Sequence, residues 1–368
     1  MAGIGRSKME KNFTKDGLIL LNKNKGISSF GAINHLKRVI KAKKVGHAGT
    51  LDPMAEGLMI VMINDATKFS DSLMKKDKEY YVEMELGYKT DTYDSEGTVV
   101  EKYTSEINIS DSEIIQAVNS FKGKIKQIPP MYSAIKIDGK KLYDLARKGI
   151  EVERAERNVE ISEIREIKVM RPDKNSENAQ NIKISFYAKV SSGTYIRSLV
   201  YDIGEKLGVF ATMTRLVRTK IDKYVIEDAI SLEKVEDEIE KLKELVRGKK
   251  EIESFWATKD DVDIWAEKIS EIASFVKIED VLDYFGINVS NEKYGKLKNG
   301  MTVIDTFKKF ENIGKEISEV NVRENQKFKV YVRNRSTNIR EFKGIVKIVN
   351  IRGCLLYTSD AADERSSV

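Results

Sequence analysis

Hydrophobic residues occur in short clusters divided by polar turns, and their spacing predicts strands and helices in mixture. Residues 17–23, GLILLNK, read as a buried strand that ends in the turn-rich NKGISS. Ile33, Leu36 and Ile40 share one face of a helix over 30–40. The run LMIVMI at 58–63 reads as a core strand, with a short helix after it. YYVEMEL at 80–86 alternates as a half-buried strand does. A hairpin-like connection follows at 87–97, and Ser110 and Glu113 have capping-box spacing at the head of a helix over 110–121. Further strands are predicted at 132–137, 158–170 and 182–190, and helices at 141–148 and 194–207, the last stopping before Gly208. Residues 231–275 are charged and helical, and 291–350 return to short strands. The whole reads as an α+β fold with antiparallel hairpins.

Composition narrows the picture. The 368 residues are 41% hydrophobic and 33% charged, which allows two domains and excludes a largely disordered chain. No apolar run approaches the roughly 20 residues of a membrane span, and no signal peptide opens the chain, so a cytoplasmic protein is expected. One cysteine, Cys354, rules out an internal disulfide, and with two histidines it leaves no Cys/His zinc site.

Net charge is +6, distributed as +7 over 1–230, −7 over 231–290, +8 over 291–353 and −2 over 354–368. Two basic blocks around an acidic one lean toward a polyanionic partner, with the acidic segment turned away from it. The tail 354–368, CLLYTSDAADERSSV, does not continue the strand-like pattern before it. Its first six residues can be encoded by a transposase adaptor of sequencing libraries, so the tail is read as foreign and set aside.

Common small motifs are missing. Gly3-Ile4-Gly5 has neither a third glycine nor a strand before it, and no GxxxxGK[ST] string occurs. One loop differs from the rest. GHAGTLDPMAEG at 46–57 concentrates glycines, His47, Thr50 and Asp52 between a basic stretch and a core strand. From the residues alone two readings stand side by side: a functional loop on a rigid base, or a turn initiated by Asp52-Pro53.

That loop closely resembles the signature of the TruB family, the bacterial tRNA pseudouridine-55 synthases. The likeness continues through DKEYYVEMELGYKTDTYDSEG (77–97), PPMYSAIKIDGKKLYDLARKG (129–149), SSGTYIRSLVYDIGEKLG (191–208) and MTRLVRT (213–219). A weaker match, YGKLKNGMTV (294–303), is to the family's small C-terminal domain. The resemblance implies a mixed, mainly antiparallel sheet with flanking helices. It divides the chain into a flexible extension (1–15), a catalytic domain (16–230), an acidic helical connection (231–290) and a truncated, β-rich PUA-like domain (291–353).

The implied activity isomerises uridine 55 of the tRNA TΨC loop to pseudouridine after base flipping. It needs no cofactor, metal or obligatory protein partner, and the enzyme is a monomer. By motif match Asp52 is the essential carboxylate, and whether it attacks the base, attacks C1′ or acts as a base on the ribose stays open. Arg197 pairs with Asp52, and Tyr80 stacks on the target base and is placed to help remove the C5 proton. Tyr195 and Leu216 line the uracil pocket, and His47 meets the RNA loop. Lys23, Gly49, Thr50 and Lys78 complete the substrate-binding set. Without the resemblance, Tyr80, Tyr195 and Leu216 read as core packing and Lys23 as a solvated strand-end lysine. Asn24 stands where proline is usual, and Val217 where arginine is common. Two other readings are a guide-RNA-dependent synthase and a non-catalytic tRNA-binding or folding protein.

Overall fold

Gly17–Lys23 forms β1, and its run of apolar residues is buried along almost its whole length. The structure, a computed structural model, describes residues 13–172 apart from 14 and 138, residues 182–247 and, in shorter stretches, residues 267–359. The extension before residue 13 and the polar stretch 173–180, expected to be a loop, lie outside the described residues. The chain divides into two units, residues 1–275 and 276–368.

In the first unit β1 leads into α1 (Ser29–Ile40), which Ser28 caps by accepting a hydrogen bond from the Gly31 N–H at 3.0 Å. Ala32, Ile33, Leu36 and Ile40 bury one stripe of α1, and Lys41 closes it in the left-handed conformation. Then come β2 (Val45–His47), β3 (Glu56–Ile63), β4 (Lys78–Leu86) and the hairpin β5 (Tyr88–Thr90) with β6 (Val99–Lys102). The predicted capping box is present at α2 (Asp111–Asn119): Ser110 accepts from the Glu113 N–H while the Glu113 carboxylate accepts from the Ser110 N–H. β7 (Gly123–Gln127), β8 (Arg157–Met170), β9 (Lys183–Val190), α3 (Ile196–Leu207) and β10 (Ala211–Ile221) follow, then β11 (Ile230–Ser231) and α4 (Leu232–Arg247).

The sheet of this unit runs β11-β1-β3-β10-β4-β9-β8-β7, with β2 paired to β3. Pairing is antiparallel except for β1 with β11 and a short stretch of β3 with β10. That parallel stretch sets Gly57 opposite Arg218. A Cβ on Gly57, which has φ +102°, would stand 2.4 Å from the Arg218 carbonyl oxygen, so only glycine lets the two strands meet.

Several expectations need correction. The strand predicted over 132–137 is reduced to Lys136–Ile137, because its carbonyls serve the next helix: Ser133 O accepts from the Tyr143 N–H and Ile135 O from the Leu142 N–H. β7, absent from the strands predicted above, is a true sheet strand. β10, quoted only for the MTRLVRT resemblance, is a long strand between β3 and β4. The helical reading of the acidic segment, by contrast, holds over α4, whose Leu232, Val235 and Ile239 are buried as α4 packs against α1, with His35 Nε2 2.6 Å from Glu236 Oε1.

Among the described residues the second unit is a sheet of mostly short strands with helices at Ile278–Val281 and Asn291–Lys298. β12 (Gly286–Val289) pairs in parallel with β14 (Lys327–Arg333), and β14 pairs antiparallel with β15 (Arg340–Ile351). The stretch expected to begin with strands begins instead with α5 (Asn291–Lys298), because Ser290 caps it by accepting from the Lys293 N–H. Between α5 and β14 lies the short strand β13 (Val303–Asp305). Residues Cys354–Ser359, set aside as foreign and as not continuing the pattern, form β16 between β15 and β13. An open strand edge pairs with any extended segment that reaches it, which accounts for the pairing whatever the source of those residues.

Candidate active site

Asp52 lies in the loop between β2 and β3, and its two neighbours are fastened to the segment ahead of α1 and to its first turn. The Ser29 hydroxyl donates to Leu51 O and accepts from Leu51 N, both at 2.8 Å. Pro53 O accepts from the Gly26 N–H at 2.8 Å and from Lys23 Nζ at 3.3 Å. Asp52 is therefore held from both sides by backbone bonds, and its side chain keeps 36% of its surface open.

Arg197 meets it from α3. Ile196, Arg197, Ser198, Leu199 and Val200 are all buried, as are Ile203 and Gly204, so the head of α3 is enclosed and Arg197 with it. Its side chain is 4% exposed, with Nε 2.9 Å from Asp52 Oδ2 and 3.7 Å from Asp94 Oδ2. Nη1 donates to Thr92 O at 3.0 Å and Nη2 to Tyr132 O at 2.8 Å. A guanidinium with this many fixed acceptors cannot swing away, so it orients Asp52 without screening its open side. Asp94 is itself buried, and desolvation pushes its carboxyl above the usual range. The Thr92 hydroxyl, Arg197 and the Glu96 N–H pull the other way.

Beneath the loop lie three buried cations. Lys23 Nζ donates to Asn24 O, Ile27 O and Pro53 O, and burial brings its pKa down to about 8, against the pull of Asp52 and Glu56. Lys78 Nζ donates to Met74 O and Lys76 O, and burial, aided by the Arg218 charge, lowers it also to about 8. Arg218 Nε donates to Leu58 O at 2.6 Å and Nη2 to Gly49 O at 3.2 Å, tying the start of the loop to β3. Gly49 has φ +118°, and a Cβ there would sit 3.5 Å from Arg218 Nη1. His47, half-buried on β2, is held below its usual pKa by burial and by Arg218.

Of the residues singled out in the sequence, Asp52 and Arg197 touch, Lys23 reaches the loop at Pro53, and Gly49 lies against Arg218 and near Lys78. Thr50 is exposed on the loop. Tyr80 and Leu216 are buried in the core on the adjacent strands β4 and β10. Tyr195 immediately precedes α3 without a side-chain capping bond, and Gln127 pins its backbone by donating to Tyr195 O at 3.0 Å and accepting from its N–H at 2.8 Å. Burial raises the Tyr195 phenol.

Sequence reasoning missed Asp94, Ser29, Gln127 and Arg218. Asp94 stood inside a quoted block, where the Thr92-x-Asp94-x-Glu96 spacing that builds its hydrogen-bonded turn was the available signal. The other three carry no local signal, since their partners lie 22 to 169 residues away. Among the described residues no three His, Cys, Asp or Glu side chains gather as a metal site would need.

Residues 37–196 match the profile described as TruB family pseudouridylate synthase, N-terminal domain, and residues 197–253 that of the tRNA pseudouridylate synthase B C-terminal domain. A protein of Fusobacterium nucleatum named tRNA pseudouridine synthase B is 49% identical over 212 residues, 58% of this chain and 70% of its own. The chain belongs to the TruB family. A Clostridium perfringens protein of the same name is 41% identical over 291 residues, 79% of this chain and 85% of its own. The C-terminal profile of the TruB family thus falls on α3, β10 and α4, ahead of the 294–303 stretch that carries the weaker resemblance.

Among solved structures, a Cbf5–Nop10–Gar1 complex chain gives a TM-score of 0.53 at 22% identity, covering 93% of this chain and 80% of that one. The archaeal box H/ACA Nop10–Cbf5 complex gives 0.54 at 18%, covering 95% and 86%. At these identities the likeness establishes the mixed, mainly antiparallel fold that this TruB-family chain shares with them.

Proposed function

We propose that this protein is a stand-alone tRNA pseudouridine synthase that isomerises uridine 55 of the TΨC loop, with Asp52 as the essential carboxylate. The observation that carries the reading is the 2.9 Å contact between Arg197 Nε and Asp52 Oδ2, made by a buried guanidinium to a carboxylate that is still open to a ligand. The reaction breaks the bond between uracil N1 and ribose C1′, rotates the base and joins C5 to C1′; the C5 proton then leaves and N1 takes up a proton. One fixed carboxylate serves the first steps, and Tyr80 is placed to help remove the C5 proton. Extruding the base costs a few kcal/mol. Stacking on Tyr80, worth about 1–3 kcal/mol per base, and contacts with Tyr195 and Leu216 offset much of that.

The basic residues of 37–44, 122–126 and 136–148 bind phosphates and set orientation, and the shape of the loop and its splayed bases supply specificity. The second unit, basic over 291–353, acts as a PUA-like grip on the acceptor stem. The enzyme works as a cytoplasmic monomer without an obligatory protein partner. No described helix is long and apolar enough to cross a membrane.

The test is carbodiimide treatment and primer extension on an unmodified tRNA transcript incubated with the protein alone. A stop at position 55, absent when that uridine is replaced by cytidine, is expected. A stop only after guide RNA is added would favour the guided reading. Binding with no stop under either condition would favour a tRNA-folding protein.

A further inference from the structure

Two adjacent serines do different work at the head of α1. Ser28 is exposed and caps the helix, accepting from the Gly31 N–H at 3.0 Å. Ser29 is 2% exposed and makes no capping bond; its hydroxyl faces the 46–57 loop. One oxygen closes a ring with one residue, donating to Leu51 O and accepting from Leu51 N at 2.8 Å each. This satisfies both backbone polar groups of Leu51, whose side chain is buried and whose C-terminal neighbour is Asp52. A single hydroxyl thus replaces the two bonds that a neighbouring strand would give the loop. On the far side of Asp52, the grip on Pro53 comes from the Gly26 backbone and from Lys23.

We propose that Ser29 is a positioning residue for Asp52, fixing the carboxylate's backbone by its two-way bond to Leu51. The proposal rests on the catalytic reading above. A group held within a fraction of an ångström by its neighbours loses efficiency steeply when they let go: about 100-fold for a displacement near 1 Å. Ser29→Ala leaves the Leu51 N–H and C=O without protein partners, so the loop must shift to hydrate them. Ser29→Thr keeps the oxygen.

The experiment compares Ser29→Ala, Ser29→Thr and Ser28→Ala with wild type in two readouts. In single-turnover isomerisation of tRNA, Ser29→Ala is expected to lower the rate constant about 10- to 100-fold with tRNA affinity unchanged. Ser29→Thr should recover most of the rate. Ser28→Ala, which costs α1 its cap, should leave the rate within twofold. In hydrogen–deuterium exchange of the free proteins, Ser29→Ala should speed exchange in peptides covering 48–55, and Ser28→Ala only in those covering the start of α1.

Equal rate losses for the two alanine variants, or unchanged exchange over 48–55 in Ser29→Ala, would overturn the proposal. If wild type itself turns nothing over, the catalytic reading fails on its own, and the exchange arm still decides whether Ser29 holds the loop.

Discussion

Arg197→Met tests how much of the site's architecture depends on one guanidinium. Methionine keeps most of the apolar stem but removes the contacts to Asp52, Thr92 O and Tyr132 O, at 2.9, 3.0 and 2.8 Å. Charge-assisted hydrogen bonds contribute about 1.5–3 kcal/mol each, and losing one partner of a buried ion pair costs about 3–5 kcal/mol. A loss of about 3–5 kcal/mol at neutral pH is expected. Asp94 fixes how that loss varies with pH. Burial already raises its pKa, and Arg197 is among the groups that oppose the rise. Without Arg197 the carboxyl climbs further, so the variant holds its proton up to a higher pH than wild type. The deficit is then full when Asp94 is ionised and shrinks as the pH falls through its raised pKa.

Urea unfolding followed by far-UV circular dichroism at pH 7.5 and 5.0 measures both quantities. Adding Asp94→Asn, which keeps the oxygen that accepts from Thr92 and Glu96, should recover about 1–2 kcal/mol of the loss at pH 7.5. A deficit below about 1 kcal/mol, or one that grows toward pH 5, would refute the reasoning.

The remaining expectations concern the scaffold. Gly57→Ala, with its Cβ 2.4 Å from the Arg218 carbonyl oxygen, should destabilise by about 3 kcal/mol or more in urea titrations. Gly193→Ala, at φ +85° with open space around it, should cost only about 1–2 kcal/mol. Lys78 binds its proton less tightly in the fold, at about 8, than in the unfolded chain, so wild type should gain on Lys78→Met by about 1–2 kcal/mol between pH 8 and 10. A flat difference across that interval would contradict the assignment. Neutralising the exposed Glu233 and Glu240 of α4 to glutamine should leave tRNA affinity within twofold in filter binding; a several-fold change would place α4 at the RNA.

Elements with strong local signals were legible from the sequence. β1, α1, β4, β9, the capping box of α2 and the glycine stop of α3 follow from apolar spacing and end residues. Elements fixed by distant partners were not. β7 alternates lysines with small or apolar residues at the outer end of the sheet, which reads as a basic patch until its pairing with β8 is seen. β10 carries Arg215, Arg218 and Lys220, yet lies between two strands with Arg218 1% exposed. Nothing local distinguishes a buried, carbonyl-satisfied arginine from a phosphate ligand. The site divides in the same way. Asp52 and Arg197 emerged from motif resemblance. The Leu51–Ser29 bond, the Gln127 grip on Tyr195 and the Arg218 tie exist only once the chain has folded.

The central claim is that Asp52 carries a uridine-to-pseudouridine isomerisation without any guide. Tritium release from a [5-³H]uridine-labelled tRNA transcript tests it most directly, with wild type and Asp52→Asn side by side and a transcript carrying cytidine at position 55 as control. Wild type should release tritium from the first transcript alone, and Asp52→Asn should release none while binding the tRNA as tightly as wild type. Release by Asp52→Asn at a rate near wild type, or none by wild type on a transcript it binds, would contradict the account.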